Sequence, residues 1–310
     1  MNITQRPFSG ESDKQEMMAL VRAFPNDYLH VGDMPYRFSS WAFDDPENVG
    51  QWVNAEGQLV GWAVMQTPFW SIDYAYHPEA ADKNLPQQIL AWVDERARQA
   101  LNTPYGHPCW FVNVFTGQTD RQHDLEAVGF ASQANVPKDP WSKVLMRRPA
   151  QLPVTTYPPR GNCLVRSLAG ESEVEAYVEL HRSVFESKSM TVEWRRRTLQ
   201  QPDYIPDLDV VVAAPDGHLV AFCICWLDKS SGSAPTGRVE PLGCHQDFRR
   251  YALGRVALTE GLRPLQAHGA QNIYVETDSD RSTALALYES VGFEVIQDVL
   301  IYRKDYPSVP

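Results

Sequence analysis

The sequence predicts an α/β (α+β) fold written twice in tandem, and three observations predict it. The chain has 310 residues, enough for two domains of roughly 100–200 residues each. Short phrases recur in the same order at a nearly constant spacing. In the second copy, strand-like and helix-like segments alternate, as elements layered on one sheet do.

The repeat weighs most. Gly10-Glu11-Ser12 returns as Gly170-Glu171-Ser172, and Arg6 as Arg166, each 160 residues later. Gly57-Gln58-Leu59-Val60 returns as Gly217-His218-Leu219-Val220 at the same spacing. Asp124–Phe130 (DLEAVGF) returns as Leu287–Phe293 (LYESVGF), 163 residues on. Ordered matches of this kind mean a duplication, and the period is too long for a solenoid. The expected domains are 1–150 and 160–310. Prolines cluster and periodicity vanishes from Arg148-Pro149 to Pro158-Pro159, the expected linker.

The second copy can be read in order. An expected strand near Asn162–Leu168 precedes helices over Glu171–Phe185, with Val174, Tyr177, Val178 and His181 on one face, and Val192–Gln200. Asp209–Ala214 and Leu219–Leu227 are apolar strands joined by the Pro215-Asp216-Gly217 turn. Gly237–Cys244 is a further strand. A helix follows from Leu253 to His268, stopped by Gly269. Asn272–Thr277 reads as a strand, Thr283–Val291 as a helix closed by Gly292, and Phe293–Lys304 as a final strand or hairpin.

Composition excludes several classes. No run of about 18 apolar residues predicts a membrane span, and the N-terminal stretch has no apolar segment of the secretory kind. Cys109, Cys163, Cys223, Cys225 and Cys244 are few, odd in number and scattered, which predicts reduced thiols in the cytoplasm. Cys223 and Cys225 alternate in an apolar run and read as small buried hydrophobes rather than a metal site. A net charge of -11 repels phosphate backbones and argues against a nucleic-acid partner. It suits a cationic amine, although acidity serves solubility equally.

The stretch Leu242–Leu258 (LGCHQDFRRYALGRVAL) is the most informative. A strand ends at Cys244, a loop with Arg249, Arg250, Ala252 and Gly254 follows, and an apolar helix begins. Backbone N–H groups and the positive end of the helix dipole converge there on a place for a phosphate or pyrophosphate. The arginines add charge-assisted contacts.

Arg249-Arg250-Tyr251-Ala252-Leu253-Gly254 after a strand, with Leu287-Tyr288-Glu289-Ser290-Val291-Gly292-Phe293 following, resembles the GNAT superfamily of acyl-CoA-dependent N-acyltransferases. The resemblance covers residues 160–306. Ala252 stands at the loop's first glycine, Gln246 at a usual proline and Arg281 at a frequent asparagine. The resemblance implies two tandem GNAT-like domains, each a mixed, mostly antiparallel sheet flanked by helices. It implies acetyl-CoA as co-substrate, with Leu242, Gly243 and Cys244 receiving the pantetheine arm. Arg249, Arg250, Tyr251, Ala252, Leu253, Gly254 and Arg255 would grip the pyrophosphate. No metal is implied. In organisation the chain is similar to mycothiol synthases, a tandem class.

Laid on the second copy without gaps, the first places Ala81 at Arg249, Asp82 at Arg250, Asn84 at Ala252, Pro86 at Gly254 and Gln87 at Arg255. Leu125 stands at Tyr288. The cations are gone, an aspartate has entered, and proline removes a donor. The first copy is expected to keep the fold without the reaction.

Aminolysis of a thioester expels a thiolate, and a phenol can protonate it, which assigns the acid role to Tyr288. Glu240 lies four residues before Cys244, so period-two alternation puts it on the face of Leu242 and Cys244 as a candidate base acting through water. A surface glutamate reads equally well there. His245 and Glu276 are further candidates. A nucleophilic Cys244 has no histidine partner identifiable by spacing. The run Trp194-Arg195-Arg196-Arg197 reads most simply as a solvated helix face, and the tryptophans mostly as core or interdomain packing. The expected reaction is direct acetyl transfer to a primary amine of a small molecule, by a monomer or homodimer. A non-catalytic acyl-CoA sensor and an aminoacyl transferase of tandem type stay open.

Overall fold

Both copies use the same turn and cap chemistry, and the same element order appears twice up to the last helix of each. The structure, a computed structural model, describes residues 2–229 and 234–306, with the side chains of all but Lys83 and Arg250. The first copy runs β1 (Thr4–Arg6), α1 (Glu11–Ala23), α2 (Met34–Phe38), β2 (Val49–Val53), β3 (Leu59–Gln66), β4 (Ser71–Tyr76), α3 (Leu85–Ala100), β5 (Cys109–Phe115), α4 (Thr119–Ala127), β6 (Ala131–Ser132) and β7 (Ser142–Pro149). The second runs β8 (Leu164–Ser167), α5 (Val174–Phe185), α6 (Val192–Leu199), β9 (Asp209–Ala213), β10 (Leu219–Asp228), β11 (Thr236–Cys244), α7 (Leu253–Ala267), β12 (Asn272–Asp278), α8 (Ser282–Glu289) and β13 (Glu294–Asp305).

Equivalent residues make equivalent bonds. Arg6 meets Asp13 at 3.1 Å and Arg166 meets Glu173 at 2.5 Å. Those carboxylates accept the N–H of Ser9 and of Ala169 respectively. His77 and His245 each accept an N–H two residues on, capping the short turn after β4 and after β11. Asn84 and Ala252 then take left-handed backbone at φ 60° and 57°.

Where the sequence suggests one sheet per copy, the strands form a single sheet in the order β1-β2-β3-β4-β5-β13-β7-β12-β11-β10-β9-β8, with β6 on β13. The last strands are exchanged. β13 of the second copy pairs antiparallel with β5 of the first, from Val299↔Phe115 to Asp305↔Cys109. β7 of the first copy pairs along the whole of β12, from Asn272↔Pro149 to Asp278↔Lys143. β13 and β7 pair with each other between them. The exchange leaves neither β5 nor β12 with an open edge.

Helices cover both faces. α3 and α4 pack over one half and α7 and α8 over the other, on cores that include Leu85, Ile89 and Leu125, or Val256's neighbours Leu253, Ala257 and Leu262. On the opposite face Tyr36 of α2 enters the core of α5 and α6. Its carbonyl accepts the indole N–H of Trp194 at 3.1 Å, and Ser39 meets Thr198 at 3.0 Å. Trp52, Trp62, Trp110, Trp194 and Trp226 are fully buried, as packing residues should be. Among the described residues, no helix is long and apolar enough to cross a membrane.

The Trp194–Arg197 run departs from its reading as a solvated face. Arg195 is fully buried, ion-paired with Asp209, with its guanidinium 3.9 Å over the Tyr177 ring. Tyr204 donates to the same carboxylate at 2.8 Å. Only Arg196 and Arg197 reach the surface acids Glu171 and Glu193. Arg195→Ala strands a buried carboxylate and is expected to cost about 3–5 kcal/mol. Denaturant unfolding checks this, and Arg195→Met with Asp209→Leu should recover most of the loss.

Candidate active site

β11 and β12 are parallel neighbours for only three pairs, Thr236↔Asn272, Gly237↔Ile273 and Arg238↔Tyr274. Beyond Arg238 the strands part. β12 stays bound to β7 and β11 stays bound to β10, so a slot without ladder pairing among the described residues lies between them. An extra residue shapes the slot. Cys225 faces Val239 and Cys223 faces Leu242, so Glu240-Pro241 forms a bulge on β11, and proline has no N–H to give to a ladder there.

The bulge corrects the expected orientation of Glu240. An inserted residue reverses the parity of alternation. Val239, Leu242 and Cys244 pack into the core beneath α7. Arg238 faces the other way, toward Asp33, and so does Gly243, where a Cβ would strike Phe222 and Val184. Glu240 shares the face of Arg238, opposite Leu242 and Cys244. Tyr288 belongs to the core on the α7 and α8 side. The two predicted proton carriers therefore flank the slot from opposite faces of the sheet.

Glu240 lies in a charged network that the sequence reading missed. Arg238 bridges Asp33 and Glu276, each at 3.1 Å. Lys143 holds Glu276 at 2.6 Å. His30 Nδ1 lies 3.1 Å from Asp33 and 3.9 Å from Glu276. Burial raises the Glu276 carboxyl, but Lys143, His30 and Arg238 together pull it far below the usual range. Such a carboxylate is a poor base, which disfavours Glu276 in that role. Asp33 is held down in the same way, against burial, by Arg238 and His30. Glu240 goes the other way. Burial first, then Asp33 and Glu276, push it up to about 7, although Arg238 and Lys143 oppose them. Burial, and next the Glu240 charge, raise the Tyr288 phenol well above its ordinary value, so it holds its proton at neutral pH.

On the α7 side, β11 leads through the turn Gln246–Tyr251 to Ala252 and the start of α7. The left-handed Ala252 swings the chain into the helix. Arg249 and Tyr251 are exposed, Arg255 is half-buried, and its Nε has no hydrogen-bond partner among the described residues. The expectation for the Arg250 side chain lies outside the described residues. A Cβ on Gly254 would sit 3.8 Å from Cys244, so that position tolerates more than glycine. Burial pushes the Cys244 thiol up, which disfavours a nucleophilic thiolate. His245 caps the turn with Nδ1 at 3.3 Å from the Asp247 N–H.

Residues 174–293 match the acetyltransferase (GNAT) family. The match covers 120 of the chain's 310 residues. The chain is 28% identical to the mycothiol acetyltransferase of Thermobispora bispora over 165 residues, 51% of this chain and 56% of that protein. The match thus spans about half of the relative's length. A GCN5-related N-acetyltransferase from Sphaerobacter thermophilus aligns over 99% of this chain and 97% of its own, with a TM-score of 0.67 at 17% identity. A tandem GNAT protein from the clavulanic acid biosynthesis pathway aligns over 99% and 100%, with a TM-score of 0.66 at 14% identity. The whole chain therefore has the tandem GNAT fold, and the slot lies within the matched domain.

In the first GNAT-like copy a cleft lies between β4 and β5, lined by Tyr28, Asp73, Tyr74, Val112 and Arg121, and side chains of that copy take up the free edge of β4. β4 and β5 pair only at Ser71↔Phe111 before parting. The Tyr28 hydroxyl donates to the Tyr76 carbonyl at 2.8 Å and accepts the Tyr76 N–H at 3.0 Å. Arg121 donates to the Tyr74 carbonyl at 2.9 Å, with its guanidinium 4.3 Å from the Tyr74 ring centroid. Tyr74 and Tyr76 stand where Leu242 and Cys244 stand in the second copy. Leu125, the counterpart of Tyr288, is buried in the core.

Proposed function

We propose that this chain is an acetyl-CoA-dependent N-acetyltransferase that moves an acetyl group to a primary amine of a small molecule. The transfer is a direct attack within a ternary complex. One observation carries the reading: the slot between β11 and β12, with Glu240 on one face of the sheet and Tyr288 on the other. Acetyl-CoA enters from the α7 side and the amine from the opposite face. The N–H groups at the start of α7, with Arg249, Arg250 and Arg255, hold the pyrophosphate. The freed edge of β11 at Leu242, Gly243 and Cys244 receives the pantetheine arm. Glu240, poised near neutrality, takes the proton of the arriving ammonium. Tyr288 protonates the departing sulfur. The first copy is non-catalytic, because Tyr28 and Arg121 occupy the edge that a pantetheine would need. The name of the relatives makes small-molecule amines the first class to screen.

Calorimetric titration with acetyl-CoA tests this. The wild type is expected to bind one equivalent, and Arg249→Ala with Gly254→Pro to abolish binding. Ala81→Arg with Asp82→Arg in the first copy should change nothing. A wild type that binds no acetyl-CoA sinks the reading. Tyr288→Phe should lower kcat by roughly 10²-fold with acetyl-CoA affinity unchanged, as steady-state kinetics and calorimetry would report. An unchanged kcat would remove Tyr288 as the acid.

A further inference from the structure

The segment joining the copies is a strap, pinned along its length. Arg148 is buried at its start and donates to the carbonyls of Pro149, Leu152 and Pro153 at 3.1, 2.8 and 3.1 Å. The same guanidinium reaches the Val291 carbonyl, after α8, at 2.7 Å. Gln266 near the end of α7 donates to the Leu152 carbonyl at 2.7 Å, and Arg263 bonds the Thr156 hydroxyl. The strap therefore follows α7 backwards, from its last turn toward its first. At the first turn the Tyr157 ring centroid lies 5.3 Å from the Arg255 guanidinium. Gly161 then passes Tyr251 so closely that a Cβ on it would sit 3.4 Å from the ring. Arg255 and Tyr251 are both residues of the pyrophosphate loop.

Between the strap, α7 and the end of α8 lies an open cleft. Tyr157, Thr155, Thr259, Ser290 and Val291 are among its lining residues. Tyr157, one of those residues, lies beside Arg255, whose Nε has no hydrogen-bond partner among the described residues. Thr259 bonds back to the Arg255 carbonyl at 3.0 Å, so the cleft floor and the loop are one helix surface. Hydroxyls beside apolar and aromatic surface suit a nucleoside, which needs both flat contact and a few polar partners. A cation held over an aromatic face beside the cleft suits the phosphates attached to it.

We propose that the strap is the outer wall of the site for the nucleotide end of coenzyme A. The adenosine lodges in the cleft against Tyr157, and Tyr157 positions Arg255 on the phosphates. This rests on the acyltransferase reading above. The connection between the two copies is then part of the donor site and contributes to its affinity.

The test compares two donors by calorimetry, acetyl-CoA and S-acetyl-4′-phosphopantetheine, which lacks the adenosine portion. Tyr157→Ala, and Ser290→Trp as a cleft-filling change, are expected to weaken acetyl-CoA about ten-fold, in line with loss of one aromatic and one charge-assisted contact. Ser290→Trp should leave the truncated donor unaffected, and Tyr157→Ala, which also loosens Arg255 from the phosphate that this donor keeps, should weaken it less than it weakens acetyl-CoA. Tyr157→Phe keeps the ring and should bind acetyl-CoA as the wild type does. Melting curves identify any variant that fails to fold. Wild-type affinity for acetyl-CoA in both Tyr157→Ala and Ser290→Trp overturns the proposal, and so does equal weakening of both donors. A wild type that binds no acetyl-CoA instead overturns the acyltransferase reading itself.

Discussion

Glu240→Gln is expected to lower kcat/KM by roughly 10²–10⁴-fold, the usual contribution of a positioned base, with acetyl-CoA affinity unchanged. The wild-type rate should rise with pH through about 7, where the Glu240 carboxyl loses its proton. Burial, Asp33 and Glu276 set that midpoint by disfavouring the charged form, so Asp33→Asn should move it to lower pH. A pH–rate profile reads both effects. A rate flat across neutrality, or full activity in Glu240→Gln, would remove Glu240 as the base. Stability should run the other way. The folded-state value lies above the ordinary carboxylate value, so this group's contribution is fully present below about 4.5 and lost as the pH rises through about 7. Glu240→Gln should therefore melt higher than the wild type at pH 8 and like it at about pH 4. A variant less active yet more stable is the signature of a charge kept buried for chemistry.

Separating the copies is expected to disable both. A fragment of residues 151–310 lacks β7, the full-length partner of β12, so the wall of the slot becomes a bare edge. It also lacks Asp33 and Lys143, which leaves Arg238 and Glu276 without their other partners. Its β13 has lost both β5 and β7. Near-ultraviolet circular dichroism should show no fixed packing, and calorimetry no acetyl-CoA binding. Mixing with a fragment of residues 1–150 during refolding should restore both. A 151–310 fragment that binds acetyl-CoA as tightly as the whole chain would show that the exchanged strands are dispensable.

Much of this was legible from local signals. The Pro215-Asp216-Gly217 turn, the Gly269 and Gly292 stops and the repeated phrases mark element ends, so the second copy's elements fall within a few residues of their expected places. Strand exchange was not legible, because periodicity tells a strand which face to bury and not which neighbour to choose. The orientation of Glu240 was not legible either, since one extra residue at Pro241 reverses a parity that spacing alone assumes. Proline inside an expected strand was the available signal. Asp33 and Lys143 come from the other copy, where nothing in their own surroundings marks them. Arg195 sits in a triplet of arginines, and only its buried partner Asp209 distinguishes it from Arg196 and Arg197.

The exchanged strands also order events in time. Cys109 waits for Asp305, and Phe115 for Val299. During synthesis, β5 emerges long before the strand that completes its sheet, so the first copy cannot close ahead of the second as tandem domains ordinarily do. Such distant pairings slow folding, since a long loop must close before the contact that rewards it. Until β13 arrives, the nascent first copy carries an unpaired edge at β5. The ribosome-bound chain is then the state most exposed to mispairing, and a chaperone or a slow translation rate late in the message would protect it there.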